Sequence, residues 1–254
     1  MPQGYILTKS KYIRGLQCDR ALWLDVFNPK LARYSAEQMR RFDHGREFEH
    51  TFKATFPDGI DISAQLKRDT SAYPALTAQL LDTHDTVNLF EAGFLYNDVL
   101  VLADVVHRRP DGSLDIYEVK SGSTLSDTYR RDAALQHYVI SHCRQINTFS
   151  IVHATPQSNT PNNSNHSNHS DYSDHSDYSD HSDYSDHSDT PFTIVDLTAD
   201  LQAAHPDIEH HIAVMKDILT HGEPATPTGQ HCLTPYPCPY QHYCAQGIRQ
   251  MSLF

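Results

Sequence analysis

Three apolar runs in close succession, residues 87–93, 99–107 and 113–120, constrain the fold of this chain more than any other feature. They are rich in Val, Leu, Ile, Phe and Tyr, the residues that suit a pleated, half-buried surface. Asn97-Asp98 and Pro110-Asp111-Gly112 separate them and carry hairpin turn chemistry. A meander of three antiparallel strands is therefore expected. Helical spacing surrounds it. Tyr12, Leu16, Ala21, Leu22 and Trp23 suggest short amphipathic helices capped by Thr8 or Ser10. Ser35 and Gln38 form a capping-box pattern that opens a helix over residues 36–56, stopped by Pro57-Asp58-Gly59. Further helices are expected near 72–82, over 127–143 and over 206–220, with strands at 148–154 and 192–197. Helices, antiparallel strands, helix, strands and helix in that order predict an α/β fold.

The segment 161–190 repeats Ser-Asp-His/Tyr and has seven Asp, five His and no Lys, Arg or Glu. So little aliphatic content cannot offset ordering entropy, which predicts a disordered insert, 156–190, between two strands. It also carries more than half of the formal charge of −12. That balance argues against a strongly basic, sequence-reading DNA-binding protein, while leaving room for local basic surface. No run of about 18 apolar residues exists to cross a membrane, and Met1-Pro-Gln-Gly-Tyr does not open like a secretory signal, so a cytoplasmic location is expected.

The strands hold the chemistry. If the turn centres near residue 111, paired positions sum to about 222, as an antiparallel ladder requires. Asp104 then faces Glu118, and Glu118 shares a face with Lys120 while Val119 points away. Carboxylates in apolar strands are costly unless a cation compensates them, and Mg²⁺ prefers such hard oxygen ligands. On the wheel of helix 36–56, Met39, Phe42, Phe48, Phe52 and Phe56 define one core-facing arc. Glu49 falls about 20° from Phe42, inside that arc. Gln136 lies on the helix after the Glu-x-Lys strand, with Tyr138 beside it.

A second set is sulfur. Cys232, Cys238 and Cys244 fall within thirteen residues that Pro235, Pro237 and Pro239 are expected to keep from regular structure, and Cys18 stands near the other end. Four thiolates select zinc or an iron–sulfur cluster. Cys143 is expected to be a small buried hydrophobe.

Asp104, Glu118-Val119-Lys120 and the helical Gln136 together resemble the core of the PD-(D/E)XK nucleases, and more narrowly the RecB-like branch that includes the CRISPR-associated adaptation exonucleases. Gly45-Arg46-Glu47-Phe48-Glu49 resembles that branch's Gly-x-x-x-His, with Glu in place of His. The resemblance implies a restriction-endonuclease-like mixed central sheet flanked by helices, in one nuclease domain over 1–254. Its N-terminal helical part would be 7–60, its core 86–155 and 191–220, and its cysteine tail 221–254. It implies Mg²⁺- or Mn²⁺-dependent hydrolysis of DNA, at single strands or ends. Asp104, Glu118, the Val119 carbonyl and Glu49 would hold the metal. Lys120 would be the catalytic lysine, and Gln136 would position it or the DNA. It also implies a [4Fe–4S] cluster on Cys18, Cys232, Cys238 and Cys244 that joins the chain ends, and a possible helicase or integrase-type partner. Arg130, Arg131 and Tyr138, with Arg108 and Arg109, are the candidate DNA contacts. The competing expectation is a non-catalytic DNA-binding or adaptor module on the same scaffold, stapled by zinc or a cluster.

Overall fold

The computed structural model describes residues 5–66, 69–155 and 191–251; the insert expected at 156–190 lies outside the described residues. The chain begins with β1 (Leu7–Thr8), α1 (Lys9–Gln17), α2 (Asp19–Phe27) and α3 (Ala36–Lys53). It continues through β2 (Ile60–Asp61), α4 (Ile62–Leu66) and α5 (Tyr73–Thr83) to the meander β3 (Val87–Tyr96), β4 (Val99–Arg108) and β5 (Leu114–Lys120). Then come α6 (Asp127–Ser141), β6 (Ile146–Ala154), β7 (Phe192–Asp196), α7 (Thr198–Leu201), α8 (His205–Thr220) and α9 (Gln241–Met251). Local chemistry accounts for the starts. The Thr8 hydroxyl accepts from the Lys11 N–H at the head of α1, and Ser35 with Gln38 closes a full capping box on α3. Asn97 and Asp98 take left-handed φ values of 49° and 55° in the β3–β4 turn, where short polar residues are tolerated.

The strands form one mixed sheet in the order β2-β3-β4-β5-β6-β7, with β1 paired to β4. β3, β4 and β5 run antiparallel, β5 and β6 parallel, and β6 and β7 antiparallel. Helices cover both faces. The larger core joins Leu81 of α5, Leu135 and Val139 of α6, and Ile208, Ile212 and Met215 of α8 to the strands. On the other face, Phe52 packs with Phe90, Val105, Val119 and Val152. This is an open α/β sheet flanked by helices. No helix among the described residues is long and apolar enough to cross a membrane.

The alternation of the sheet slips at one level. In β3 the larger core takes Val87 and Leu89, then Ala92 and Phe94; in β4 it takes Val99, Val101 and Ala103, then Val106. The slips fall at Glu91 and Asp104, which face each other by register, since Phe90 pairs with Val105 and Ala92 with Ala103. Glu91 adopts φ 54°, a conformation that costs a residue with a Cβ on the order of 1 kcal/mol.

Two expectations are corrected here. The apolar arc of α3 is not core-facing along its length: Phe48 and Phe52 pack inside, but Met39 is 46% and Phe42 is 44% exposed. The wheel gives the direction of a side chain, but the N-terminal half of α3 has no buried residue to pack against. The cysteine tail is also more regular than its prolines suggest, because α9 begins at Gln241, two residues after Pro239, and carries Cys244.

Candidate metal and active site

Register places three acids in one row. Phe90 pairs with Val105 and Val105 with Tyr117, so the next positions along are Glu91, Asp104 and Glu118. The β4–β5 ladder ends at Val105 and Tyr117. Beyond it the Asp104 carboxylate accepts the Val119 N–H at 2.7 Å and takes the place of a strand partner. β1 pairs with β4 farther along, Leu7 with Val99 and Thr8 with Leu100. That insertion brings Lys9, at the start of α1, beside Glu118.

The charged groups fall into two linked sets. Carboxylate oxygens of Glu49, Glu91 and Asp104 lie within 4.8 Å of one another. The Lys53 ammonium bridges the first two, donating to Glu91 at 2.6 Å and pairing with Glu49. The second set surrounds Glu118. Its Oε1 accepts from Lys9 Nζ at 2.8 Å and from Lys120 Nζ at 2.5 Å. Lys120 Nζ also donates to Asp132 Oδ2 at 2.6 Å, and Lys9 stands 3.8 Å from the same oxygen. With all eight groups ionised, these five carboxylates and three ammonium groups leave a formal −2. One divalent cation would balance it.

Burial sets the electrostatics. It pushes the Asp104 carboxyl well above the usual range, with Glu118 and Glu49 adding to the rise and Lys9 and Lys120 opposing it. Burial also pushes Glu118 upward, but Lys120 and Lys9 outweigh it and hold that carboxyl far below its ordinary value. The ammonium of Lys120 is destabilised by burial and more than rescued by Asp132 and Glu118, so its pKa is well raised. Two adjacent carboxylates thus sit at opposite ends of the acid scale. Asp104 is the one short of positive charge.

Among the described residues, several buried polar atoms have no hydrogen-bond partner: Glu118 Oε2, Asp132 Oδ1 and both ends of the Gln136 amide. Buried polar groups are nearly always satisfied, so each orphan invites a ligand or ordered water. Gln136 is 0% exposed, four residues after Asp132 on one face of α6. A pocket of about 230 Å³ lined by Thr8, Lys9, Ser10, Glu91 and Asp104 opens beside the acids.

The other expected residues fall as follows. Val119 is buried with its side chain against the Phe52 cluster, leaving its backbone at the site. Tyr138 is 2% exposed and its hydroxyl accepts from Asn97, so it is a core residue and no surface for a DNA strand. Arg130 and Arg131 are exposed, and Arg130 stands 3.7 Å from Asp200. Arg109 pairs with Asp115 at 3.3 Å, and Arg108 donates to the Asp85 carbonyl. Cys143 is half-buried against the larger core.

The chain ends meet. Cys18, Cys238 and Cys244 pack in one apolar cluster with Ala21, Leu24 and Tyr240. Arg20 pairs with Glu223 at 2.6 Å, and Trp23 donates to the His221 carbonyl at 3.1 Å. The sulfurs of Cys18, Cys232, Cys238 and Cys244 are not gathered to within 4.8 Å of one another, so no closed thiolate set is formed.

Sequence reasoning missed Glu91, Lys9, Lys53 and Asp132. A signal existed for Glu91: it interrupts the apolar run Phe90-Glu91-Ala92, and a pairing sum of 195 places it across from Asp104. Lys9 carried none, because its neighbours are about a hundred residues away. No family model matches the chain, and no curated protein matches it.

Proposed function

We propose that this chain is a divalent-metal-dependent deoxyribonuclease of the PD-(D/E)XK kind, acting on single strands or ends. The observation that carries the proposal is the convergence of Asp104, Glu118 and Lys120, with Glu49 and Glu91, on a buried site with a formal −2. The donor set fits a hard cation: every candidate ligand atom is an oxygen, carboxylate or backbone carbonyl, and Glu118 Oε2 has no partner among the described residues. Asp104, Glu118 Oε2, the Val119 carbonyl and Glu49 would hold Mg²⁺ or Mn²⁺, and Glu91 joins that set. When bound, the ion polarises a phosphate oxygen and makes water acidic enough to attack.

The protein's own residues supply the rest. Lys120 is kept protonated by Asp132 and Glu118, so its ammonium can stabilise negative charge on the phosphate. Lys9 presents a second ammonium on the same Glu118 oxygen and lines the pocket. Gln136, one turn past Asp132 on α6, offers a buried amide with no partner among the described residues. Cys18, Cys232, Cys238 and Cys244 would carry a [4Fe–4S] cluster that fastens the chain ends already packed together there. Soft thiolates suit such a cluster, and its four irons span more than a single zinc ion does.

The test is cleavage of labelled single- and double-stranded DNA with Mg²⁺, Mn²⁺ or EDTA, on anaerobically purified protein. Metal-dependent cleavage lost in Asp104→Ala, Glu118→Ala and Lys120→Ala, each still folded by circular dichroism, is expected. Cleavage retained in all three, or seen equally in EDTA, would remove the assignment.

A further inference from the structure

The N-terminal half of α3 leaves large apolar side chains open to solvent. Tyr34 and Phe42 are each 44% exposed, and their rings meet edge to face at 5.7 Å. Met39 lies between them in sequence, also open to solvent. Such a patch on a folded chain marks a contact for something else. Its charge says what. The chain as a whole is −12, yet Lys30, Arg33, Arg40, Arg41 and Arg46 stand here against only Glu37 and Asp43, a formal +3 over residues 30–46. Arg41 and Arg46 pair with Glu37 and Asp43. Arg33 and Arg40 are exposed and have no ion-pair partner among the described residues.

This strip leads to the acids. The Gln38 amide donates to the Pro237 carbonyl at 3.0 Å, and the Arg33 N–H donates to the Pro239 carbonyl at 3.0 Å. The Gln17 amide holds the Tyr236 carbonyl at 2.7 Å. The tail is thereby laid against α3, with Tyr236 itself 42% exposed. Tyr236 lies within electrostatic reach of Arg41 and of Tyr129, Lys120 and Asp132. Midway along, α3 carries Gly45, where a Cβ would stand 3.9 Å from Ser121 Oγ, just past β5, and one turn later Glu49.

We propose that Tyr34, Phe42, Arg33, Arg40 and Tyr236 form the track that a DNA single strand follows to the carboxylate site. This rests on the nuclease proposal for its destination, though not for the binding itself. Exposed aromatic rings on a strip that also carries guanidinium groups without ion-pair partners suit splayed bases and phosphates, because every base offers a face to stack and every phosphate a charge.

The test uses the full chain and fluorescein-labelled oligothymidine in EDTA, with binding read by anisotropy. Phe42→Ala and Tyr34→Ala are each expected to weaken binding roughly tenfold. Arg33→Glu combined with Arg40→Glu should flatten the log–log salt dependence by about 1.4, two phosphate contacts' worth. These side chains are exposed, so melting temperatures should not move. In Mn²⁺, cleavage of a thymidine p-nitrophenyl phosphodiester, too short to reach the strip, should stay at the wild-type rate. Variants that bind and cut long single strands like the wild type overturn the track while leaving the nuclease in place. So does wild-type protein that does not bind the oligonucleotide, or a dimer that Phe42→Ala splits without changing DNA affinity. A chain that binds through these residues but cleaves nothing keeps the track and removes the hydrolase.

Discussion

Replacing Asp104 with Asn should make the metal-free protein more stable and deaf to metal. At an effective dielectric near 20, two unit charges 4.8 Å apart repel by about 3.5 kcal/mol. Asp104 faces Glu49 and Glu91 at such a separation, with Glu118 also raising its pKa, while Lys9 and Lys120 return part of the cost. A residual penalty of roughly 1–3 kcal/mol is left to relieve. An Asn oxygen can still accept the Val119 N–H, so little packing is lost. In a chain of this length that gain raises the melting temperature by roughly 3–10 °C in EDTA. Excess Mn²⁺ should then stabilise the wild type by about 2.7 kcal/mol at a hundred times its dissociation constant, and the variant hardly at all.

The pH dependence carries the same sign. Because the folded carboxyl of Asp104 titrates above the ordinary 3.8, the folded state holds its proton longer than the unfolded chain does. The contribution is therefore fully present below 3.8 and is lost as pH rises through the raised value. The difference in stability between Asp104→Asn and wild type, measured without metal, should widen over that window and then level off. An Asn variant that melts lower than wild type in EDTA, or gains as much from Mn²⁺, refutes the electrostatic account of the site.

Two further outcomes are open to measurement. Gln136→Met removes two unpaired buried amide atoms and should raise stability by about 1–2 kcal/mol while lowering cleavage at least tenfold; a less stable variant would mean that the amide has a partner in solution. Burial and His205 pull His137 down to about 4 from 6.5, so the unfolded state takes up protons first and stability falls as pH drops from 6.5 to 4. After a discount for solvent screening this is worth about 2 kcal/mol, and His137→Gln should flatten urea-derived stabilities over that interval; an unchanged slope would assign the acid sensitivity elsewhere.

The meander was legible because its turn residues fix register locally. Once Pro110-Asp111-Gly112 is read as a turn, the sum of 222 follows, and the observed Val105–Tyr117 pair obeys it. Asp104, Glu118 and Lys120 could therefore be placed before any coordinates. The helical period gave Glu49 its side of α3, although Phe42, the reference for that arc, is exposed. The failures share a cause. Neither the exposure of Met39 and Phe42 nor the position of Lys9 is a local property: the first depends on what α3 packs against, the second on a parallel pairing that closes from Thr8 to Leu100. Glu91 could be paired with Asp104 by the sum of 195, but regular alternation gives no hint of its left-handed backbone, which breaks the alternation at that level.

That two-residue strand at the start of the described chain has a consequence for assembly. A meander folding by itself would bury Glu118 with Lys120 as its sole cationic neighbour on that strand, and the second cation arrives only when the leading segment threads in beside residue 99. Closure over so long a span is slow compared with hairpin zipping. Competence should thus appear late and all at once, and a proteolytic nick anywhere between the two pairing partners should silence the protein while leaving most of its secondary structure intact.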